Sequence, residues 1–402
     1  MSDSLRHECG IALVRLTKDL KWYQEKYGTP LHGFNQLFLL MEKQHNRGQD
    51  GAGIGSVKIG AENGEAFLFR DREIGAQGLT QIFTRQIKTY ADKVREAIIV
   101  PEFPETVKRH FDFGGELLLG HLRYGTSGNF DSVSCHPYAR KSIWPTRNLL
   151  IAGNFNLTNT PDLNASLTER GAHVIYTTDT QSILEEIGFW LDEEHDRLFK
   201  AFKDQGLEGM AVQHEISKHL DVGNVLRKAA KHWDGGYAIA GLIGNGDSFV
   251  VRDPNGIRPC WFVRTDDLIA VASERVALMT IIGASQAEVQ ELPPGSALIM
   301  KADGRHSVEC IHPPGERRHC SFERIYFSRG NDPDIYAERK ALGAALADEV
   351  IRLISDDHDK AVFSYIPNTA EIAWYGLMEE LRMRRRTQVR DQLREALAKG
   401  QL

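Results

Sequence analysis

Residues 5–16 read LRHECGIALVRL, and the fold turns on how this stretch is read. Ile11, Ala12, Leu13 and Val14 form an apolar run with the character of a buried strand, entered through Cys9-Gly10. A buried strand needs no cysteine at its first position. Cys9 is therefore either a small packing residue or, once residues 1–8 are removed, an N-terminal thiol. In the second case its own α-amine, with a reference pKa of roughly 8, is near enough to neutrality to act as the base. Gly10 lets other backbone approach the thiol. This reading requires an oxyanion donor and groups for the charged ends of a substrate.

Outward from that stretch, three residues offer themselves, each with a plainer alternative. Arg123 ends the apolar strand of GHLRYGTSG (120–128) and is either a structural ion-pair partner or a bidentate grip on a carboxylate. Asn154, in IAGNFNLTN (151–159), is either a turn asparagine or an oxyanion donor, with the N–H of the next residue beside it. Asp179, in TTDTQSIL (177–184), is either a helix N-cap or a carboxylate for a substrate ammonium.

The wider pattern is one of strands bracketed by helices. Phe34, Leu37, Phe38 and Met41 fall at i, i+3, i+4 and i+7, and Ile183, Leu184, Ile187, Trp190 and Leu191 again have helical spacing, so each set predicts one face of a helix. GGYAIAGLIGNGDSFVVRD (235–253) predicts a hairpin, and LIAVASE and SALIMKADGRHSVEC add short strands. The spacing predicts stacked sheets with outer helices over roughly 9–300. Residues 60–113 read as an insertion carrying helices, without a functional signal. Beyond PPGERRHC the pattern becomes alternating α/β, with a helix presenting Leu342, Leu346 and Val350, a strand at KAVFSYIP (360–367) and a helix at NTAEIAWYGLMEEL.

Composition excludes several classes. The chain has 402 residues and a formal net charge of −6, so no overall field favours nucleic acid or an acidic membrane. No apolar stretch reaches transmembrane length, and MSDSLRHE lacks a secretory core. Five scattered cysteines do not form a disulfide framework, which points to the cytoplasm. The arginine-rich tail 382–402 reads as a solvated helix face. Cys310, His312, His319 and Cys320 do not have zinc-site spacing, and no metal is expected.

Taken in order, ECGIALVRL, QHNRGQDGAGI, GHLRYGTSG, GNFNLTN, TTDTQSIL and RDPNGIRP resemble the glutaminase domain of the amidophosphoribosyltransferase family of class II glutamine amidotransferases. FERIYFSRGNDPDIYAERKALG and FSYIPNTAEIAWYG resemble the opening of that family's phosphoribosyltransferase domain. The resemblance implies an α+β chain: an N-terminal-nucleophile hydrolase αββα four-layer sandwich at 9–305, after a leader at 1–8. An incomplete α/β phosphoribosyltransferase-like domain at 306–402 would follow. It implies Cys9 as nucleophile, Asn154 and the N–H of Phe155 as oxyanion hole, Arg123 and Thr126 on the glutamine α-carboxylate, and Asp179 on its α-amino group. Arg47 and Gly48 would shape the pocket. It implies a homo-oligomer, no cofactor within this chain, and ammonia transfer to phosphoribosyl pyrophosphate, the first step of purine synthesis.

Three departures qualify those expectations. Asn154-Phe155 stands where Asn-Gly is usual, so the donor is retained and the pocket wall altered. The leader requires cleavage at Glu8–Cys9, which implies self-processing. No DDSIVRGTT-like phosphate loop is present, so phosphoribosyl pyrophosphate and its Mg2+ are expected only where the remainder of that domain is supplied. A non-catalytic regulatory or assembly relative, or a split subunit, is the alternative reading.

Overall fold

The computed structural model describes residues 9–125, 135–175, 178–355, 357 and 360–401. The expected leader 1–8 and Thr126 lie outside these residues. The strands in chain order are β1 Gly10–Leu16, β2 Gly51–Val57, β3 Leu68–Ile74, β4 Leu117–Arg123, β5 Tyr138–Arg140, β6 Leu149–Leu157, β7 Gly235–Ile243, β8 Ser248–Arg252, β9 Trp261–Arg264, β10 Leu268–Ala272, β11 Gln290–Glu291, β12 Ser296–Met300 and β13 His306–Cys310. They form two antiparallel sheets: a seven-stranded one ordered β11-β9-β10-β1-β4-β2-β3, and a six-stranded one ordered β13-β12-β8-β7-β6-β5.

The period-two alternation of side chains sorts each strand between two cores. From β1, Ile11 and Leu13 enter a core between the sheets, where they join Leu117 and Leu119 of β4 and Leu150, Ala152, Ala238 and Ala240 of β6 and β7. Ala12, Val14 and Leu16 face the other way, onto Phe34, Leu37 and Met41 of the helix His32–Lys43 and Leu79, Ile82 and Phe83 of the helix Gly78–Arg95. The second sheet does the same with Leu149, Ile151 and Phe155. These pack on Ile183, Leu184, Ile187 and Leu191 of the helix Asp179–Asp204. Strands buried on both faces between helix layers are the αββα sandwich the resemblance implies. Gly120 is needed where the first helix layer comes down: a Cβ there would lie 2.4 Å from Met41 Sδ.

Two expectations are corrected in this unit. Residues 60–113 carry the expected helices, Gly78–Arg95 and Pro104–His110, but also a strand, since β3 extends the first sheet by pairing with β2 from Gly51↔Ile74 to Val57↔Leu68. Alternation in β3 is masked by its charged face, which is why the sequence did not declare it. The compact unit also runs through Cys320, past the boundary drawn at 305/306. That boundary would cut the β12–β13 hairpin, whose register spans Ser296↔Cys310 to Met300↔His306.

The second unit, Ser321–Leu402, contains the helices Pro333–Ala345, Ala347–Leu353 and Glu371–Ala398. The expected apolar face at Leu342 and Leu346 is exposed, and Ile335, Arg339 and Gly343 are buried instead. Two glycines decide this. A Cβ on Gly343 would lie 1.7 Å from the Ala373 carbonyl, and one on Gly376 would lie 2.0 Å from that of Lys340. The helices therefore cross backbone to backbone on the glycine side. KAVFSYIP forms no strand; Val362 and Ile366 are exposed, and the unit has no strand among its described residues to satisfy a ladder. No helix of the described residues is long and apolar enough to cross a membrane.

Gly343→Ala is expected to lower the urea midpoint for this unit well beyond the shift from Leu342→Ala, which should stay within about 0.5 kcal/mol as an exposed-site change. In the first unit, buried His195 contacts Thr146 Oγ1 through Nδ1 at 2.7 Å. Burial, with Arg147 nearby, pushes its pKa down from 6.5 to about 4. The unfolded chain then binds the proton first. Stability conferred by the neutral ring is complete above pH 6.5 and declines as pH falls towards 4. Thermal melts across that range should steepen their pH dependence in wild type relative to His195→Asn.

Candidate active site

One end of the sandwich gathers the start of β1, the end of β4, the start of β2 and the end of β6. The antiparallel register Gly10↔Leu122 brings Cys9 alongside Arg123, and Arg123 pairs onward with Gly51. Cys9 is buried, as are Arg123 and Asn154. From the other sheet, Asn154 continues the alternation of Ala152 and so faces the space between the sheets. There its Oδ1 accepts the Cys9 N–H at 3.3 Å.

The turn 44–48 clamps this junction. Arg47 is fully buried; its Nε donates to the Cys9 carbonyl at 3.3 Å, and its guanidinium lies 3.6 Å from the Glu274 carboxylate. Asn46 Nδ2 donates to the same carboxylate at 2.9 Å. Gln44 Nε2 donates to the Ile11 carbonyl at 3.2 Å, while its Oε1 accepts the Glu274 N–H at 3.1 Å. Ser273 Oγ accepts the Ile11 N–H at 3.0 Å. Gly48 makes the clamp fit, since a Cβ there would lie 2.6–2.7 Å from the backbone of Leu122 and Arg123. Just beyond it, the Asp50 N–H donates to the Arg123 carbonyl at 2.9 Å and Asp50 Oδ2 accepts the Gly125 N–H at 2.7 Å. That fixes the chain on both sides of Arg123.

The direction of the Phe155 N–H follows from the register. Antiparallel strands bond their neighbours with alternate residues. The Tyr237 N–H and C=O both engage Asp253, so the Phe155↔Tyr237 pair is not hydrogen-bonded across β6 and β7. Odd residues of β6 therefore point their N–H groups away from β7. On that edge the Gly153 N–H donates to His136 Nδ1 at 3.2 Å and the Leu157 N–H to Asp179 Oδ2 at 3.4 Å. The Phe155 N–H lies between them, while its ring packs into the outer helix layer.

Asp179 is the first helical residue, and Thr178 occupies the N-cap position without a side-chain cap bond. The capping alternative therefore does not describe Asp179. Its carboxylate sits where the helix dipole favours negative charge and bonds the end of β6. The structure thus joins Cys9, Asn154, Arg47, Gly48 and Arg123 at one junction. Phe155 and Asp179 stand on the adjoining edge of β6. Sequence reading missed Gln44, Asn46, Asp50, Ser273, Glu274 and His136. The polar density of QHNRGQD between a helix and a strand was the available signal, since buried polar groups must be paired.

No protein-family model matches the chain. Among curated proteins, it is 31% identical to the amidophosphoribosyltransferase of Synechocystis sp. over 246 residues, 58% of this chain and 43% of that protein. It is 29% identical to that of Escherichia coli K12 over 342 residues, 81% of this chain and 56% of that protein. A solved glutamine phosphoribosylpyrophosphate amidotransferase from B. subtilis superposes with a TM-score of 0.60 at 23% identity, covering 92% of this chain and 64% of that one. The chain resembles amidophosphoribosyltransferases in sequence and shares the fold of the solved enzyme. It spans about half the length of the curated relatives it matches.

Removing Arg47 takes a fully buried cation away from the Glu274 carboxylate. Arg47→Met is expected to destabilise the first unit by about 3 kcal/mol, the usual order for breaking a buried pair, as read by urea denaturation.

Proposed function

We infer that this chain is the glutamine-hydrolysing portion of an amidophosphoribosyltransferase-type amidotransferase, with Cys9 as its nucleophile after loss of residues 1–8. The observation that carries the reading is the hydrogen bond from the Cys9 nitrogen to Asn154 Oδ1. A nitrogen held there becomes, in the processed chain, an oriented α-amine beside its own thiol. The amide of Asn154 serves both ends of the reaction, since its oxygen holds the amine and its NH2 belongs to the same rigid plane.

In this reading the α-amine takes the Cys9 thiol proton as sulfur attacks the glutamine side-chain carbonyl carbon. The resulting oxyanion is met by the Phe155 N–H and the Asn154 NH2. Collapse breaks the C–N bond, the amine returns its proton to the departing NH2, and ammonia leaves a γ-glutamyl thioester. Water then releases glutamate and restores the thiol. Arg123 and Thr126 would hold the α-carboxylate and Asp179 the α-ammonium, while Arg47 and Gly48 hold the nucleophile in place.

Ammonia would pass to phosphoribosyl pyrophosphate in a complete protein, a homo-oligomer working in the cytoplasm. The described residues contain no group of three His, Cys, Asp or Glu side chains placed to hold a metal ion.

Intact-mass measurement and N-terminal sequencing should find a chain beginning at Cys9 that hydrolyses glutamine. Cys9→Ser should lower kcat by at least about a thousandfold, the scale of removing a catalytic nucleophile. A chain that keeps MSDSLRHE and forms no thioester would make it a non-catalytic relative instead.

A further inference from the structure

His136 is buried, and its contacts reach three elements of the site. Its Nδ1 accepts the Gly153 N–H of β6, one residue before Asn154. A backbone N–H can only donate, so Nδ1 carries no proton and the ring is the Nε2–H tautomer. Its Nε2 lies 3.0 Å from Thr180 Oγ1, the residue after Asp179. The ring stands 4.2 Å from that of His121 on β4, two positions before Arg123, and stacks on Phe155 at 5.4 Å with planes 19° apart.

Phe155 is held from below as well. A Cβ on Gly153 would lie 2.4 Å from Phe155 Cδ1. The missing side chain at 153 is thus the space the phenyl ring uses. Gly153, Phe155 and His136 form one packed unit, so a change at His136 is felt by the strand that carries the Phe155 N–H.

We propose that His136 is a positioning residue for glutamine hydrolysis. It ties the oxyanion strand at Gly153 to the helix carrying Asp179, and braces Phe155 so that its N–H keeps its aim. This rests on the glutamine-hydrolysing reading of the site. The two ring nitrogens have separable duties: Nδ1 governs the oxyanion strand and therefore kcat, and Nε2 governs the Asp179 helix and therefore KM.

The test uses the full processed chain, with kcat and KM for glutamine measured separately. His136→Ala is expected to lower kcat/KM about a hundredfold, the scale of misplacing a catalytic group by about 1 Å. His136→Asn keeps an acceptor oxygen near the Nδ1 position. It should recover kcat to within about tenfold of wild type while KM stays raised. Thr180→Val should raise KM more than it lowers kcat. Should His136→Ala fail to fold, the other two variants carry the test. Wild-type kcat and KM in Thr180→Val, or a kcat in His136→Asn as low as in a variant without any acceptor, would overturn the proposal. Long-range 15N–1H spectra of the wild-type chain should give His136 as the neutral Nε2–H tautomer. An Nδ1–H tautomer overturns the proposal whether or not glutamine is hydrolysed. Absence of hydrolysis alongside the expected tautomer counts against the catalytic reading instead.

Discussion

The hydrogen bond between the Cys9 nitrogen and Asn154 crosses from one sheet to the other, and the site depends on that crossing. A single such bond contributes about 1 kcal/mol net, far too little to hold two sheets in register. The apolar core does that work. Near the site the inter-sheet face of β6 and β7 carries Ala152, Ala238 and Ala240, with Leu150 and Leu242 farther along. Cα atoms of β1 and β6 come within 8 Å, inside the ordinary spacing of about 10 Å between packed sheets. Small side chains at one end bring Cys9 to Asn154, and larger ones keep the remainder of the interface filled.

Around that junction the chain buries an unusual density of polar groups: Gln44, Arg47, Arg123, Asn154, Ser273 and Glu274. Such groups are costly without partners. Here the turn 44–48 satisfies several at once, with the carboxylate of Glu274 serving both Asn46 and Arg47. A network of this kind rigidifies its members and specifies one arrangement over close alternatives. The nucleophilic role proposed for Cys9 would need that rigidity, since its geometry would have to be set before a substrate arrives.

Much of this was legible in the sequence wherever one physical signal acted alone. The strand at Ile11–Val14, the helix faces through Phe34 and Ile183, and the hairpin around GNGD all follow from period and turn chemistry. The strand end at Arg123 could be located for the same reason, whereas Asn154 lies inside β6, which runs on to Leu157. Legibility failed where tertiary contact outweighed local pattern. The strand Leu68–Ile74 hides behind Arg70, Asp71, Arg72 and Glu73. The helix Pro333–Ala345 buries a glycine and an arginine while exposing Leu342, because only glycine allows the close crossing at Ala373. Asp179 looked like a cap from its place in the chain, but the cap position proved to be Thr178. His136 carried no sequence signal, since its importance arises from Gly153, Thr180 and Phe155 meeting it in space.

The Phe155 N–H points to an edge of β6 that the described part of β5 does not reach, because β5 is short. A β-ladder engages alternate N–H groups of a strand on each side, so a central strand ordinarily has none to offer. Here the described β5–β6 ladder ends at Tyr138↔Ile151. From that point the odd N–H groups of β6 are taken up by side chains, with His136 at Gly153 and Asp179 at Leu157. Replacing a partner strand's carbonyls with side chains opens a gap between them at Phe155. An extended β5 would close that gap with backbone. The three-residue length of β5 is thus what leaves the N–H groups of Gly153 and Leu157 to side chains, His136 and Asp179, while β7 on its other side keeps the same strand locked in the sheet.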